Sequence, residues 1–199
     1  MILTNYYYYY KSAFSKDICK KIINKAKENN LIKGQVKNNK LKDTRNSNIF
    51  FLNEQWIYDL IWPYLQNANE KSGWSFDIDH AEDLQYTEYS KNQFYNWHAD
   101  GSSDNFGVYT KKDNVGDALI GKVRKISMTM NLSDEKDYKG GDFEIDFGPY
   151  VKNRFQVINE IKTQGSLIFF PSFVNHRITR VISGTRKSLV MWTIGKPFK

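Results

Sequence analysis

The sequence predicts an α+β chain whose main body is a β-sandwich or jelly roll. Two amphipathic helical stretches come first, and short strand-like segments separated by turn residues follow from about residue 74. Aromatic residues reach 16%, with 13 Tyr, 13 Phe and 5 Trp, and such side chains fit a pleated, half-buried surface. The 199 residues contain no internal repeat and no Pro- or Ser-rich linker, so a single domain is expected over 1–199. Its helical support covers about 15–71 and its jelly-roll core about 74–195.

The elements follow in order. The run Tyr6–Tyr10 favours a strand. Ser15 reads as an N-cap for a helix from Asp17 towards Asn29, because Ile18, Cys19, Ile22, Ile23 and Ala26 recur at helical spacing. A second helix is predicted over Glu54–Lys71, where Trp56, Ile57, Leu60, Ile61, Tyr64, Leu65 and Ala68 share a face and Pro63 interrupts. Beyond it, SFDIDHAEDLQYTEYS, KISMTMNLS, GDFEIDFG, FQVINEI, GSLIFFPS, HRITRVISG and KSLVMWTIG read as strands.

Composition narrows the function classes. Hydrophobic residues at 40% and charged residues at 26% describe a globular chain, not a disordered one. The single cysteine, Cys19, excludes an internal disulfide and fits a reducing compartment. No apolar run approaches the ~20 residues that cross a bilayer. The opening MILTNYYYYYKSAF lacks a basic start and apolar core, so a cytoplasmic protein, mature as written, is expected. The formal charge of +7 allows attraction to nucleic acid or an acidic partner. However, Lys20, Lys21, Lys25, Lys27, Lys33, Lys37, Lys40 and Lys42 are scattered and form no dense tail, as compositional drift also produces.

Only three histidines occur: His80, His98 and His176. In NWHADG, residues 96–101, His98 and Asp100 are two apart, so on a strand they face one side, with Trp97 and Ala99 facing the other. One nitrogen and one oxygen ligand are too few for a tight site. His176, after an apolar strand and a Pro-containing turn, is the natural third ligand, whereas His80 has no partner in the pattern. Two histidines and one carboxylate are the facial triad of non-haem Fe(II), with positions left open for substrate and oxygen. Arg186 lies ten residues past His176. The two are expected on adjacent antiparallel strands joined by a turn at Ser183-Gly184-Thr185, with the guanidinium across the cavity. It can grip a carboxylate bidentately there. 2-Oxoglutarate, which chelates iron at one end and carries a carboxylate at the other, has the shape to fit between. Ser188 shares Arg186's face and can support the same carboxylate; a buried strand serine is the plainer alternative.

The stretches YSKNQFYNWHADG, RKISMTMNLSDEKDYKGGDFEI and GSLIFFPSFVNHRITRVISGTRKSLVMW occur in one order from Tyr89 to Trp192, about half the chain. Together they resemble the prolyl-4-hydroxylase-like branch of the Fe(II)/2-oxoglutarate-dependent dioxygenases, with the small PKHD-type hydroxylases as the nearest likeness. The resemblance implies a double-stranded β-helix (a jelly roll) with flanking N-terminal helices. It makes His98, Asp100 and His176 iron ligands and Arg186 the anchor for the far carboxylate of 2-oxoglutarate. Tyr89, nine residues ahead of His98, matches a tyrosine that often lies near the cosubstrate; a core tyrosine is the alternative. Thr129 and Met130 sit where relatives place another contact, but the methionine departs from the usual choices and neither is assigned. Trp192 is expected in the core.

The implied activity is hydroxylation of a substrate C–H with Fe(II), 2-oxoglutarate and O2, and with ascorbate as a possible reductant. Relatives that halogenate carry a small residue in place of the carboxylate, and this chain keeps Asp100. Residues 101–125, polar and containing Gly101, Gly107, Gly116 and Gly121, are expected to form a lid, with a surface excursion as the alternative. The favoured substrate is a prolyl or other residue in a peptide or protein, with Arg45, Tyr109 and Trp97 as candidates for the cavity rim. Alternatives are a free amino acid or metabolite, oxidative demethylation of nucleic acid, and a jelly-roll binding protein with a structural metal. The last leaves Arg186 without a purpose. Oligomeric state is not legible in the sequence.

Overall fold

The computed structural model describes residues 5–28, 32–34, 44–101, 107–113 and 115–198. In chain order these form β1 (Tyr8–Tyr10), α1 (Lys16–Lys27), β2 (Ile32–Gly34), β3 (Arg45–Leu52) and α2 (Gln55–Lys71). Next come β4 (His80–Ala81), β5 (Leu84–Ser90), β6 (Phe94–His98) and β7 (Val123–Asn131). The chain closes with β8 (Tyr138–Gly140), β9 (Phe143–Asp146), β10 (Phe155–Val157), β11 (Leu167–Pro171), β12 (His176–Ile178) and β13 (Val181–Gly195).

Ser15 caps α1 as its position predicts, its Oγ accepting from the Ile18 N–H at 3.3 Å. Such a cap is worth about 1 kcal/mol. Cys19, Ile22 and Ala26 of α1 and Ile57, Ile61, Leu65 and Ala68 of α2 are buried, which is the stripe the spacing requires. Each buried Ile or Leu contributes about 1.5–3 kcal/mol by leaving water. α2 runs through Pro63 without a break.

Among the described residues all strand pairings are antiparallel. The larger sheet runs β1-β11-β7-β13-β5-β3, and the smaller runs β6-β12-β9-β10. The start of β3 bridges them, with Arg45 opposite Tyr95 of β6. This curled two-sheet body is a jelly roll of the double-stranded β-helix type with two helices on its outer side.

Alternation along β7 builds two environments. Met128 and Met130 join the core between the larger sheet and the helices, with Ile61, Leu65, Tyr86, Phe169 and Leu189. Ser127, Thr129 and Asn131 face the other way, into the jelly roll. A second core, with Tyr89, Ile145, Phe170 and Val181, lies between the sheets.

Three sequence expectations are corrected here. Ser183-Gly184-Thr185 is not a turn. β13 continues through it as one strand, and Gly184 takes φ 75° just after the β8 pairing shifts register between Val181 and Ser183. There is no reversal after β12 either: β9 and β8 pair with β12 and β13 antiparallel in one nearly continuous register, Ile178 opposite Phe143 and Val181 opposite Gly140, so β13 carries on in the direction of β12. His176 and Arg186 are therefore not on adjacent paired strands: β12 pairs β6 and β9, while β13 pairs β5, β7 and β8. The end of FQVINEI is a 3-10 turn over Asn159–Ile161. β3, inside the segment read as helical support, is a strand of the larger sheet.

Candidate metal centre

His98 ends β6 and His176 begins β12, and the two are direct cross-strand partners. Their ring centroids are 4.2 Å apart. Asp100 follows where the chain leaves β6, held by its N–H donating to the Ser172 carbonyl at 2.9 Å. Its two carboxylate oxygens each lie 3.6 Å from a histidine Nε2, one toward His98 and one toward His176. The ligand-capable atoms of all three residues fall within 4.8 Å of one another.

The ring orientations suit a metal. His98 Nδ1 lies 2.7 Å from the Asn96 carbonyl and His176 Nδ1 3.0 Å from the Val174 carbonyl. A ring that donates Nδ1–H to a carbonyl leaves Nε2 bare, and both Nε2 atoms point at Asp100. The contact between His98 and Asp100 is not an ordinary ion pair. Burial first, and then His176, lowers the pKa of His98 to about 3. Burial pushes Asp100 upward, but His176, His98, Arg124 and a Ser127 hydrogen bond outweigh it and hold its pKa at about 2. By geometry the cluster presents the Nε2 atoms of two rings and one carboxylate.

Arg186 is 2% exposed on the adjoining sheet. Its Nη1 donates to the Ser188 hydroxyl at 3.2 Å, and among the described residues no carboxylate lies within ion-pair distance. Tyr89 is its direct cross-strand partner, with the guanidinium 5.9 Å from the ring centroid. Burial raises the Tyr89 pKa above its ordinary value, so it stays a neutral donor. A buried guanidinium lacking an anion is costly, so this pocket fits a bound carboxylate. The donor set and this second anchor together fit an Fe(II) ion and a dicarboxylate.

Sequence reasoning missed several neighbours. The Tyr95 ring stacks on His98 at 3.4 Å between centroids. Glu82 takes two hydrogen bonds from Arg124, at 2.6 and 2.7 Å, and Arg124 Nη1 donates to the Asp100 carbonyl at 3.1 Å. Trp192, expected in the core, is buried but shares the inward parity of Arg186 and Ser188. It carries the Arg124 guanidinium 4.0 Å from its ring, and its indole nitrogen has no hydrogen-bond partner among the described residues. Strand parity, counted from Arg186, was the available signal.

The rim candidates separate. Trp97 packs on Phe155 at 4.8 Å and under Arg177 at 4.7 Å, on the face opposite the ligands, so it is not at the rim. Strand alternation dictates that outcome, because Trp97 precedes His98. Tyr109 donates to Glu82 at 3.2 Å and so reaches the cluster beside Asp100. Arg45 lies against Tyr95, at 4.7 Å from its ring. His80 stands apart, lining a cavity of about 610 Å³ with Tyr58, Trp62 and Asp83. Within 101–125, residues 102–106 and 114 lie outside the described residues. The remainder folds back through paired backbone hydrogen bonds between Tyr109 and Gly121-Lys122.

A jelly roll with two histidines and a carboxylate at one end and a buried arginine across the cavity defines a non-haem metal oxygenase of the facial-triad kind. A family model of the 2OG-Fe(II) oxygenase superfamily matches residues 84–194, and the chain belongs to that superfamily. A PKHD-type hydroxylase of Synechococcus is 36% identical over 67 residues, 34% of this chain and 28% of the relative. Another, of Alteromonas mediterranea, is 29% identical over 110 residues, 54% of this chain and 41% of the relative. The matches thus span less than half the length of either relative. The viral collagen prolyl hydroxylase of Paramecium bursaria Chlorella virus-1, solved with 2-oxoglutarate, superposes with TM-score 0.69 at 20% identity, covering 96% of this chain and 97% of that one. A Trichoplax adhaerens prolyl hydroxylase, solved with a peptide fragment of hypoxia inducible factor, gives TM-score 0.64 at 14% identity, covering 96% and 84%. Those likenesses establish the fold. No described helix is long and apolar enough to cross a membrane.

Proposed function

We propose that this chain is an Fe(II)- and 2-oxoglutarate-dependent dioxygenase that hydroxylates a C–H bond, with a prolyl or other residue of a peptide or protein as its substrate. The observation that carries this is the pairing of the His98-Asp100-His176 cluster with a buried Arg186 that has no carboxylate among the described residues. A structural metal site would have no use for that arginine.

His98 and His176 would hold the ion through Nε2, and Asp100 through its carboxylate. Arg186 would grip the far carboxylate of 2-oxoglutarate, with Ser188 and Tyr89 as further donors. When bound, Fe(II), 2-oxoglutarate and O2 supply the oxidising chemistry that turns C–H into C–OH and releases succinate and CO2. Carbonyls of Asn96 and Val174 hold the imidazoles in the ligating tautomer. Arg124, fixed by Glu82, holds the main chain of Asp100. Ile145 and Phe170 exclude water behind His176. Asp100 fills the position that a halide would need, which supports hydroxylation as the outcome. Ascorbate belongs to this proposal as an external reductant.

The peptide preference draws on the relatives and on the peptide bound to the Trichoplax enzyme. A free amino acid or small metabolite is the second reading, favoured by the unpaired cation at Arg45 taken up below. For nucleic acid, the aromatic and arginine stack on the outer face is poorly suited, because Arg177 pairs with Glu144 and Arg154 with Asp146. The deciding experiment follows succinate from purified protein with Fe(II), 2-oxoglutarate and O2, with and without prolyl peptides. Absence of succinate under every condition, with iron demonstrably bound, would overturn the proposal.

A further inference from the structure

Arg45 opens β3 and reaches the interior beside the metal cluster, where the two sheets meet. Its Nε donates to the Ser47 hydroxyl at 2.8 Å. Its guanidinium carbon stands 4.7 Å from the Tyr95 ring, which itself stacks on His98. The Tyr89 side chain also hydrogen-bonds to Arg45, yet one terminal nitrogen, Nη2, is buried with no hydrogen-bond partner among the described residues. Among the described residues no carboxylate lies within ion-pair distance of it. A buried guanidinium nitrogen without an acceptor costs about 1–3 kcal/mol or more, so natural cavities rarely keep one unless a ligand completes it.

The charges around the cavity sharpen this. Arg124 is cancelled by Glu82. Under the proposed function a divalent ion, the Asp100 carboxylate, the Arg186 guanidinium and dianionic 2-oxoglutarate sum to zero. Arg45 then stands as an unbalanced cation next to a ligand histidine. A backbone carbonyl could accept its hydrogen bond but would leave the charge uncompensated. A carboxylate satisfies both.

We propose that Arg45 is a second carboxylate anchor of the cavity, separate from Arg186, and that it binds a carboxylate either of the substrate or of 2-oxoglutarate. This rests on the dioxygenase reading. If the carboxylate is the substrate's, it points to a free amino acid, a small organic acid or an acidic or C-terminal peptide residue.

The test uses the whole chain loaded with Mn(II), which binds without turnover. 2-Oxoglutarate is titrated calorimetrically into wild type, Arg45→Gln and Arg45→Lys. Acetate is then added to each Mn(II)·2-oxoglutarate complex, and the relaxation of its methyl protons by Mn(II) is read by NMR. A loss of 2-oxoglutarate affinity of about ten- to a hundredfold in Arg45→Gln, partly restored in Arg45→Lys, assigns the anchor to the cosubstrate. Unchanged 2-oxoglutarate affinity with loss of the acetate relaxation assigns it to the substrate. If Arg45→Gln binds Mn(II) normally and alters neither reading, the anchor proposal is wrong. If wild type binds Mn(II) but no 2-oxoglutarate, it is the dioxygenase reading that fails.

Discussion

At the scale of single residues, the proposed site divides into groups that would hold metal and groups that would hold anion, and experiment can separate the two. His176→Ala should abolish Fe(II) binding measured by calorimetry or equilibrium dialysis, because a nitrogen and an oxygen from His98 and Asp100 are too few. Arg186→Gln should bind Fe(II) as wild type does yet lose about ten- to a hundredfold in 2-oxoglutarate affinity. Identical behaviour of the two variants would show that the division of roles is wrong. The pair His98 and Asp100 was legible because both sit on one strand end, where spacing alone fixes the face. Tyr95 and Ser127 were not legible as neighbours of that pair. The stacking of Tyr95 on His98 and the Ser127 contact to Asp100 depend on packing between strands, which spacing along the chain does not encode.

At the scale of elements, β13 shows how a glycine can mislead. Ser-Gly-Thr resembles a hairpin turn, yet a positive φ also serves a bulge within a continuing strand. A Cβ on Gly184 would fall 1.9 Å from the Asp137 carbonyl oxygen. Gly184→Ala should therefore cost more than about 2 kcal/mol in urea unfolding. It should also disturb Arg186, two residues on. A flexible turn at this position would tolerate the alanine. In α2, exposed Pro63 cannot donate to the carbonyl four residues earlier. Pro63→Ala should stabilise the protein by roughly 1–3 kcal/mol, raising its melting temperature, and a lower one would mean that the proline is favoured by its surroundings.

At the scale of the whole molecule, the proposed metal and 2-oxoglutarate together would tie the His98-Asp100-His176 cluster to Arg186 on the other sheet. Mn(II) with 2-oxoglutarate should raise the melting temperature of wild type, since a ligand bound only by the native state stabilises it by mass action. His176→Ala should lose that increment. Acid stability has a second source in the smaller sheet. Arg154 grips both oxygens of Asp146, each at 2.7 Å. That hydrogen bond, aided by the Gly148 N–H and opposed by burial, lowers the Asp146 pKa below 3.8. Because the folded value is the lower one, the stabilisation is complete above the unfolded value and is lost as pH falls through the folded value. Arg154→Gln should be less stable than wild type near neutrality, and the gap should close as pH falls through the lowered Asp146 pKa. A gap that widens in acid would contradict this assignment.

The sequence by itself determined the α+β order, the two amphipathic helices, the His-x-Asp pair and the identity of the distal histidine and arginine. Local periodicity and residue chemistry are written along the chain, and these features need nothing else. The tertiary structure decided which strands meet. It placed His176 opposite His98 on one sheet and Arg186 on the other, turned Trp97 away from the site, and brought Arg45 from a strand that sequence reasoning had passed over. Strand register and sheet closure depend on contacts between residues far apart in the chain, so they are settled only when the jelly roll closes.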